Sequence, residues 1–209
     1  MRKLLIIGAG NVGGYLAYNM EEFGDYQVLG FLDDDVRKHG KIIYGTTVLG
    51  GIDSLSQYLK SDPVSVAIGI SSPIAKESVL QRLSIYDLHY PSFIARTAWL
   101  SKRVTLGRGC IIYPGVSINY QTTIGEFVIM NMNCAIGHDC TIERFTTLAP
   151  GVNLGGFSYL EEGVEMGIGA ATKQRIRIGK NSVVGGQSML VRDVVPFTKV
   201  AGVPGKQLK

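Results

Sequence analysis

The chain has 209 residues, enough for one large domain or two modest ones, with a mild net charge of +4. The charge is unevenly shared: residues 1–97 carry 9 basic and 10 acidic side chains, and residues 98–209 carry 12 and 7. A basic excess of that size suits a phosphate-bearing small ligand, and no basic run interleaved with aromatics points to nucleic acid. No apolar run is long enough to span a membrane, and the short one after Met1-Arg2-Lys3 has no cleavage site, so a cytoplasmic protein is expected.

Lys3–Ile7 predicts an apolar strand, followed by the glycine turn Gly8-Ala9-Gly10-Asn11-Val12-Gly13-Gly14. A helix follows with Val12, Leu16, Met20 and Phe23 on one face, then a strand, Gln27–Leu32, ending in Asp33-Asp34-Asp35. Strand, glycine turn, helix, strand and carboxylate is the order of a Rossmann-like mononucleotide fold. Gly8 allows the tight turn, Gly10 lets a ligand approach the backbone, and Gly13 lets helix and strand pack closely. The helix N-terminus then offers its free N–H groups to a phosphate. Asp33 or Asp34 is expected to accept from a ribose hydroxyl or a base N–H; the competing reading is that three carboxylates solvate a loop. Tyr44–Gly51 reads as a loop near the strand ends, Asp53–Lys60 as a helix, Val64–Ile70 as a strand, Ile74–Leu83 as a helix and Pro91–Ala95 as a last strand. That makes half a dinucleotide fold, with room for one nucleotide. Ser71-Ser72 caps the later helix or touches phosphate, and the isolated His39 and His89 read as surface residues.

From Leu100 to about Val195 a six-residue phase runs without insertion. Its first position is filled by Leu100, Leu106, Ile112, Ile118 and so on to Leu190, and of sixteen only Thr172 is not large and apolar. Four places later stands a small or branched residue, and Gly107, Gly125, Gly137, Gly155, Gly167, Gly179 and Gly185 take the second position. A six-residue phase is the signature of a parallel β-helix, and a 3.6-residue helix cannot keep it. Three hexads make one triangular coil of eighteen residues, and each coil buries the apolar edge of the next. Cys110, Cys134 and Cys140 all sit at the small interior position and read as space-fillers. Three domains are expected: residues 1–97, the β-helix 98–195 and a tail 196–209.

His138 is the only histidine in the β-helix, follows the corner glycine Gly137 and precedes Asp139. Imidazole can accept and release a proton near neutrality, and Asp139 could fix its tautomer. Asn131 and Asn133, one hexad earlier, are expected near the same edge. Gly156 is eighteen residues on and so stacks beside the histidine. The pair Gly155-Gly156 would leave bare N–H groups for a thioester oxygen and room for a thin pantetheine arm. Phe127, Met130, Met132, Phe145 and Phe157 are expected to form an exposed row near the prism corners, which suggests an interface.

Over essentially its whole length the chain resembles the NeuD/PglD-like sugar O- or N-acyltransferases, a branch of the left-handed β-helix, hexapeptide-repeat acetyltransferases. The resemblance rests on Leu4–Gly10, Gly30-Phe31-Leu32-Asp33-Asp34-Asp35, Val48-Leu49-Gly50, Ile136–Cys140, Leu148–Val152 and the tail Gly202-Val203-Pro204-Gly205-Lys206. It implies an α/β nucleotide-sugar domain, a left-handed β-helix, a homotrimer with active sites between neighbouring prisms, and acetyl-CoA as cosubstrate. His138 then resembles the general base, Asp139 its partner, Gly156 the donor to the thioester oxygen and Asn131 an acceptor-side contact. Gly8, Gly10, Asn11, Asp33 and Asp34 match the nucleotide-sugar end. Gly155, Gly156, Thr147, Val200, Ala201, Pro204 and Lys206 match the CoA side. The implied acceptor is the amine of a UDP-linked 4-amino-4,6-dideoxysugar, with O-acetylation of a sugar such as sialic acid as the alternative. Two positions depart from the pattern: Asn11-Val12 stands where many members have Gly-His, and Thr147 where some have a second histidine. Of three rival readings, the residues alone exclude the first. A zinc hydrolase needs three converging histidines and the β-helix has one; an NAD oxidoreductase needs a full dinucleotide fold; a nucleotide-binding scaffold needs no Asn, His, Asp and Gly-Gly cluster.

Overall fold

A computed structural model describes residues 1–59 and 63–208. The chain opens with β1 (Arg2–Ile7), α1 (Asn11–Tyr18), β2 (Tyr26–Leu32), β3 (Ile42–Ile43), β4 (Thr46–Gly50), α2 (Leu55–Tyr58), β5 (Val64–Ile68) and α3 (Pro73–Leu83). The sheet runs β3-β4-β2-β1-β5, parallel except for β3. Every residue from Leu4 to Ile7 is fully buried: Leu4 and Ile6 face one apolar cluster, Leu5 and Ile7 another. Burial on both faces is why β1 reads as a continuous apolar run rather than an alternation. Tyr44–Gly51 is not a loop; β3 and β4 form a hairpin turned at Tyr44 and Gly45, both at positive φ. The helix expected over residues 53–60 is the short α2 behind a 3-10 turn, Ile52–Ser54; Lys60 lies outside the described residues.

The hexads fold as a parallel β-helix after this α/β domain. Two-residue strands recur every six residues and pair with those eighteen away, as in Ile118–Ile136–Leu154. They form three faces. Face one carries Ile111–Ile112 and Ile129–Met130, face two Ser117–Ile118 and Ala135–Ile136, and face three Thr123–Ile124 and Thr141–Ile142. First-position residues from Ile112 to Leu190 are buried, with the small fifth-position residues between them. Ile142 has no exposed surface. Ile142→Ala should cost about 2–5 kcal/mol in chemical denaturation, and a change below about 0.5 kcal/mol would contradict a close-packed prism.

The α/β domain lies on face one. Phe93, Ile111 and Ile129 belong to the cluster of Leu4, Ile6 and Phe31. This corrects two expectations. Phe93–Ile94 does not close the N-terminal sheet but pairs with Ile111–Ile112 of the β-helix. The expected exposed row is largely covered: Phe127 and Phe145 pack with Leu5, Val79 and Leu83, and Met130 points into the prism. Only Phe157 of the five is openly exposed. Among the described residues no helix is long and apolar enough to cross a membrane.

Candidate active site

His138 and Asp139 form the corner between faces two and three. Asp139 has φ +55°, a left-handed turn that Asp tolerates better than most residues. The turn brings its Oδ2 within 2.8 Å of His138 Nδ1. An ionised carboxylate oxygen can only accept, so Nδ1–H donates and Nε2 keeps its lone pair. The two side chains are 45% and 29% exposed, which leaves Nε2 reachable from outside. Phe157, one coil on, packs edge-to-face against the imidazole at 5.1 Å, and the Arg175 guanidinium covers the phenyl ring at 4.2 Å. Imidazole orientation is thus set from two sides.

Gly156 stands beside this ring as the eighteen-residue stacking requires. A Cβ on Gly156 would lie 2.7 Å from Nε2. Its carbonyl accepts from Arg175 N–H, whereas its own N–H donates to nothing among the described residues. Gly155 N–H is held by the Thr172 hydroxyl at 3.1 Å, and Ser158 Oγ bonds both Gly155 O at 2.6 Å and Thr172 Oγ1 at 3.0 Å. Thr172, the one polar residue among sixteen apolar positions, therefore pins the peptide next to the imidazole. That break in the repeat was the signal, and residue reasoning did not use it. A shallow groove of about 440 Å³ runs along face two past Trp99, Asn119, Asn153 and Gly155 to Gly137, next to His138.

Three expected residues lie elsewhere in the chain. Asn131 and Asn133 sit at the corner between faces one and two, not beside His138, because each hexad turns the chain to the next side. Neighbours in space are eighteen residues apart, not six. Thr147 faces the α/β domain: its hydroxyl accepts from Lys76 and donates to the Ser71 carbonyl. The tail closes the end of face one as two short strands, Lys199–Ala201 and Lys206–Gln207. Val200 is buried in the prism core, Ala201 is half-buried, and Pro204 and Lys206 are exposed.

The glycine turn opens on a cleft of about 450 Å³ lined by Gly8, Gly10, Asn11, Asp33, Asp34 and Ser71, among others. A Cβ at Gly10 would meet nothing within 4 Å, so the cleft reaches its backbone. Asp33 braces the turn, accepting from Ala9 N–H and Lys38 Nζ at 2.8 Å each and from Asp35 N–H at 2.9 Å. Burial opposes its ionisation, but Lys38 and the two backbone donors outweigh it and lower the pKa. Asp34 is lowered chiefly by Arg82, which bonds it at 2.5 Å and Asp53 at 2.8 Å. Ser72 caps α3, accepting from Ala75 N–H at 3.4 Å. A smaller pocket of about 200 Å³ shares Asn11 and Val12 with the cleft and adds Tyr15, Tyr44, Tyr113, Asn131 and Met132. Nothing in residue order announced this tyrosine cluster, because Tyr113 comes from the prism and the others from the α/β domain.

The three thiols are buried in the prism, and burial pushes Cys110 and Cys134 up to about 11. A neutral, enclosed thiol is a poor nucleophile.

Residues 3–83 match the family described as the PglD N-terminal domain. A GDP-perosamine N-acetyltransferase of Escherichia coli O157:H7 is 29% identical over 160 residues, 75% of this chain and 69% of that protein. An acyl-[acyl-carrier-protein]--UDP-N-acetylglucosamine O-acyltransferase of Agrobacterium fabrum is 32% identical over 107 residues, so this chain spans only 40% of its length. The acetyltransferase domain of PglB from Neisseria gonorrhoeae, solved with acetyl coenzyme A, superimposes at a TM-score of 0.89, with 25% identity and 99% of each chain covered. The α/β domain thus matches the PglD N-terminal family, and most of the chain resembles a perosamine N-acetyltransferase in sequence and the PglB acetyltransferase domain in fold.

Proposed function

We propose that the protein transfers an acetyl group from acetyl-CoA to the amine of a nucleotide-linked 4-amino-4,6-dideoxysugar. The observation that carries this is the corner where His138 Nε2, with its lone pair free, stands beside Gly156, whose N–H has no partner among the described residues. The neutral amine attacks the thioester carbon, forming the C–N bond, while Nε2 takes its proton. Gly156 N–H steadies the tetrahedral oxyanion. The C–S bond then breaks, and the imidazolium returns the proton to the leaving thiolate. Asp139 holds the tautomer and stabilises the imidazolium. With the thiols buried in the prism, the transfer is direct rather than through an acylated cysteine.

In this reading residues 1–97, a Rossmann-like unit, hold the nucleotide sugar, residues 98–195 wind as a left-handed β-helix, and residues 196–209 border the CoA groove. The nucleoside lies toward Asp33 and Asp34, the diphosphate at Gly8, Gly10 and Asn11, and the sugar in the tyrosine pocket beside Asn131. The pantetheine arm follows the groove on face two to Gly155 and Gly156.

We further infer a homotrimer. The acceptor pocket opens at the corner between faces one and two, while His138 lies across face two at the next corner. Face two presents an uncharged column of Trp99, Ser117, Ala135, Asn153, Ala171 and Met189. A neighbouring copy against that face would bring its acceptor pocket to this chain's His138, and its Ala201, Pro204 or Lys206 toward the CoA arm.

The family resemblance favours a UDP-sugar, while no residue names uracil over guanine; the GDP-perosamine enzyme of Escherichia coli makes a GDP-sugar the first substrate to try. Thiol release from acetyl-CoA, measured with GDP-linked amino sugars, UDP-linked amino sugars and sialic acid, tests this. Turnover is expected with a nucleotide-linked amine. Turnover with sialic acid alone would overturn both the amine and the nucleotide anchor.

A further inference from the structure

Lys76, in the second turn of α3, has no exposed surface. Its Nζ donates to the Phe127 carbonyl at 3.1 Å and to Thr147 Oγ1 at 3.0 Å, both on the β-helix. The Thr147 hydroxyl in turn donates to the Ser71 carbonyl at 2.7 Å. Ser71 and Ser72 form one lip of the cleft, at the start of the same helix. The chain Lys76–Thr147–Ser71 therefore ties that lip to the prism. Both acceptors of the ammonium are neutral. A neutral amine has two N–H groups, and there are two acceptors for them; a third proton would have none.

We infer that Lys76 is a positioning residue, held as a neutral amine, that fixes the Ser71–Ser72 lip against the prism and so presets the cleft for its nucleotide ligand. The inference rests on reading that cleft as the nucleotide site. Burial pushes the Lys76 pKa down to about 7, opposed by Cys110 and Glu165, the groups that act on it from the prism. Unfolded lysine holds its proton to near its ordinary value, so the folded chain binds fewer protons between about 7 and 10. Stability from this group rises with pH across that window and is level below it. Below about 7 the amine gains a proton with no acceptor, and the lip loosens.

The test is calorimetric binding of GDP and of UDP from pH 6 to 8.5, where Asp33 and Asp34 stay ionised. His39 and the ligand's own phosphate are common to all variants. Wild type is expected to bind one nucleotide and to lose affinity below about pH 7. Lys76→Met keeps the volume and removes the donor. Thr147→Val breaks the same link from the prism side and serves if the first variant does not fold. Each should weaken binding about tenfold and flatten the pH dependence, and the double variant should be no weaker than either single one. Wild-type-like affinity in a folded variant, or a full additive loss in the double, overturns the positioning role while leaving the cleft reading intact. No nucleotide binding by wild type at any pH overturns both.

Discussion

His138→Ala is expected to lower turnover about 10²–10⁴-fold, the usual worth of a positioned base, with acetyl-CoA binding retained. The imidazole meets Asp139 and Phe157 at an exposed corner and carries no part of the prism core. Its loss therefore leaves the fold, and a change in denaturation midpoint would signal some other role. Turnover near wild type would remove the base from the mechanism. The same variant tests the shared site. Gly10→Phe should fill the cleft without straining the turn, since the position is open and its φ is −100°. Each variant alone should be nearly inactive. If the acceptor pocket of one copy meets His138 of the next, refolding an equal mixture restores about a quarter of wild-type activity, because closed symmetric assembly mixes the copies at random. A mixture as inactive as its parts would place pocket and base in one chain.

The fold was legible because a six-residue phase has one structural solution, and the eighteen-residue rule then put Gly156 against His138. Asn131 was misplaced for want of the same rule: six residues lead to the next corner, not to a neighbour. Thr147 was misread for another reason. Whether an outward residue meets a ligand, solvent or the other domain depends on which face the α/β domain covers. The column Phe93, Ile111, Ile129 carries that information, being apolar where the outward column of face three has Thr105, Thr123 and Thr141. Thr147 continues the covered column, where its hydroxyl can serve Lys76 and Ser71 at once. The aspartates were legible as a cluster but not in their pairing, since Arg82 and Lys38 reach Asp34 and Asp33 only in the folded chain.

Gly156→Ala is expected to cost about 10²–10³ in turnover, comparable to losing an oxyanion donor, with little change in stability. Most corner glycines are structural. A Cβ on Gly137 would crowd Gly156 N, and one on Gly155 would crowd Gln174 N, each at 2.6 Å, so these positions keep the coils in contact. Gly156 is out of that column. It stands where other coils carry Arg108, Glu126, His138 or Arg144, side chains that point outward. Its added methyl would meet the imidazole first, at 2.7 Å from Nε2, 2.9 Å from Cε1 and 3.1 Å from Cδ2. The ring must swing away, giving up the Asp139 bond or the Phe157 contact, and the space facing the free Gly156 N–H closes. Alanine retains that N–H, so the damage runs through the base. The double variant with His138→Ala should be slower than His138→Ala alone by no more than about threefold, since coupled groups lose their function only once. Fully multiplied losses would mean that Gly156 acts independently of the imidazole, through room for the thioester alone.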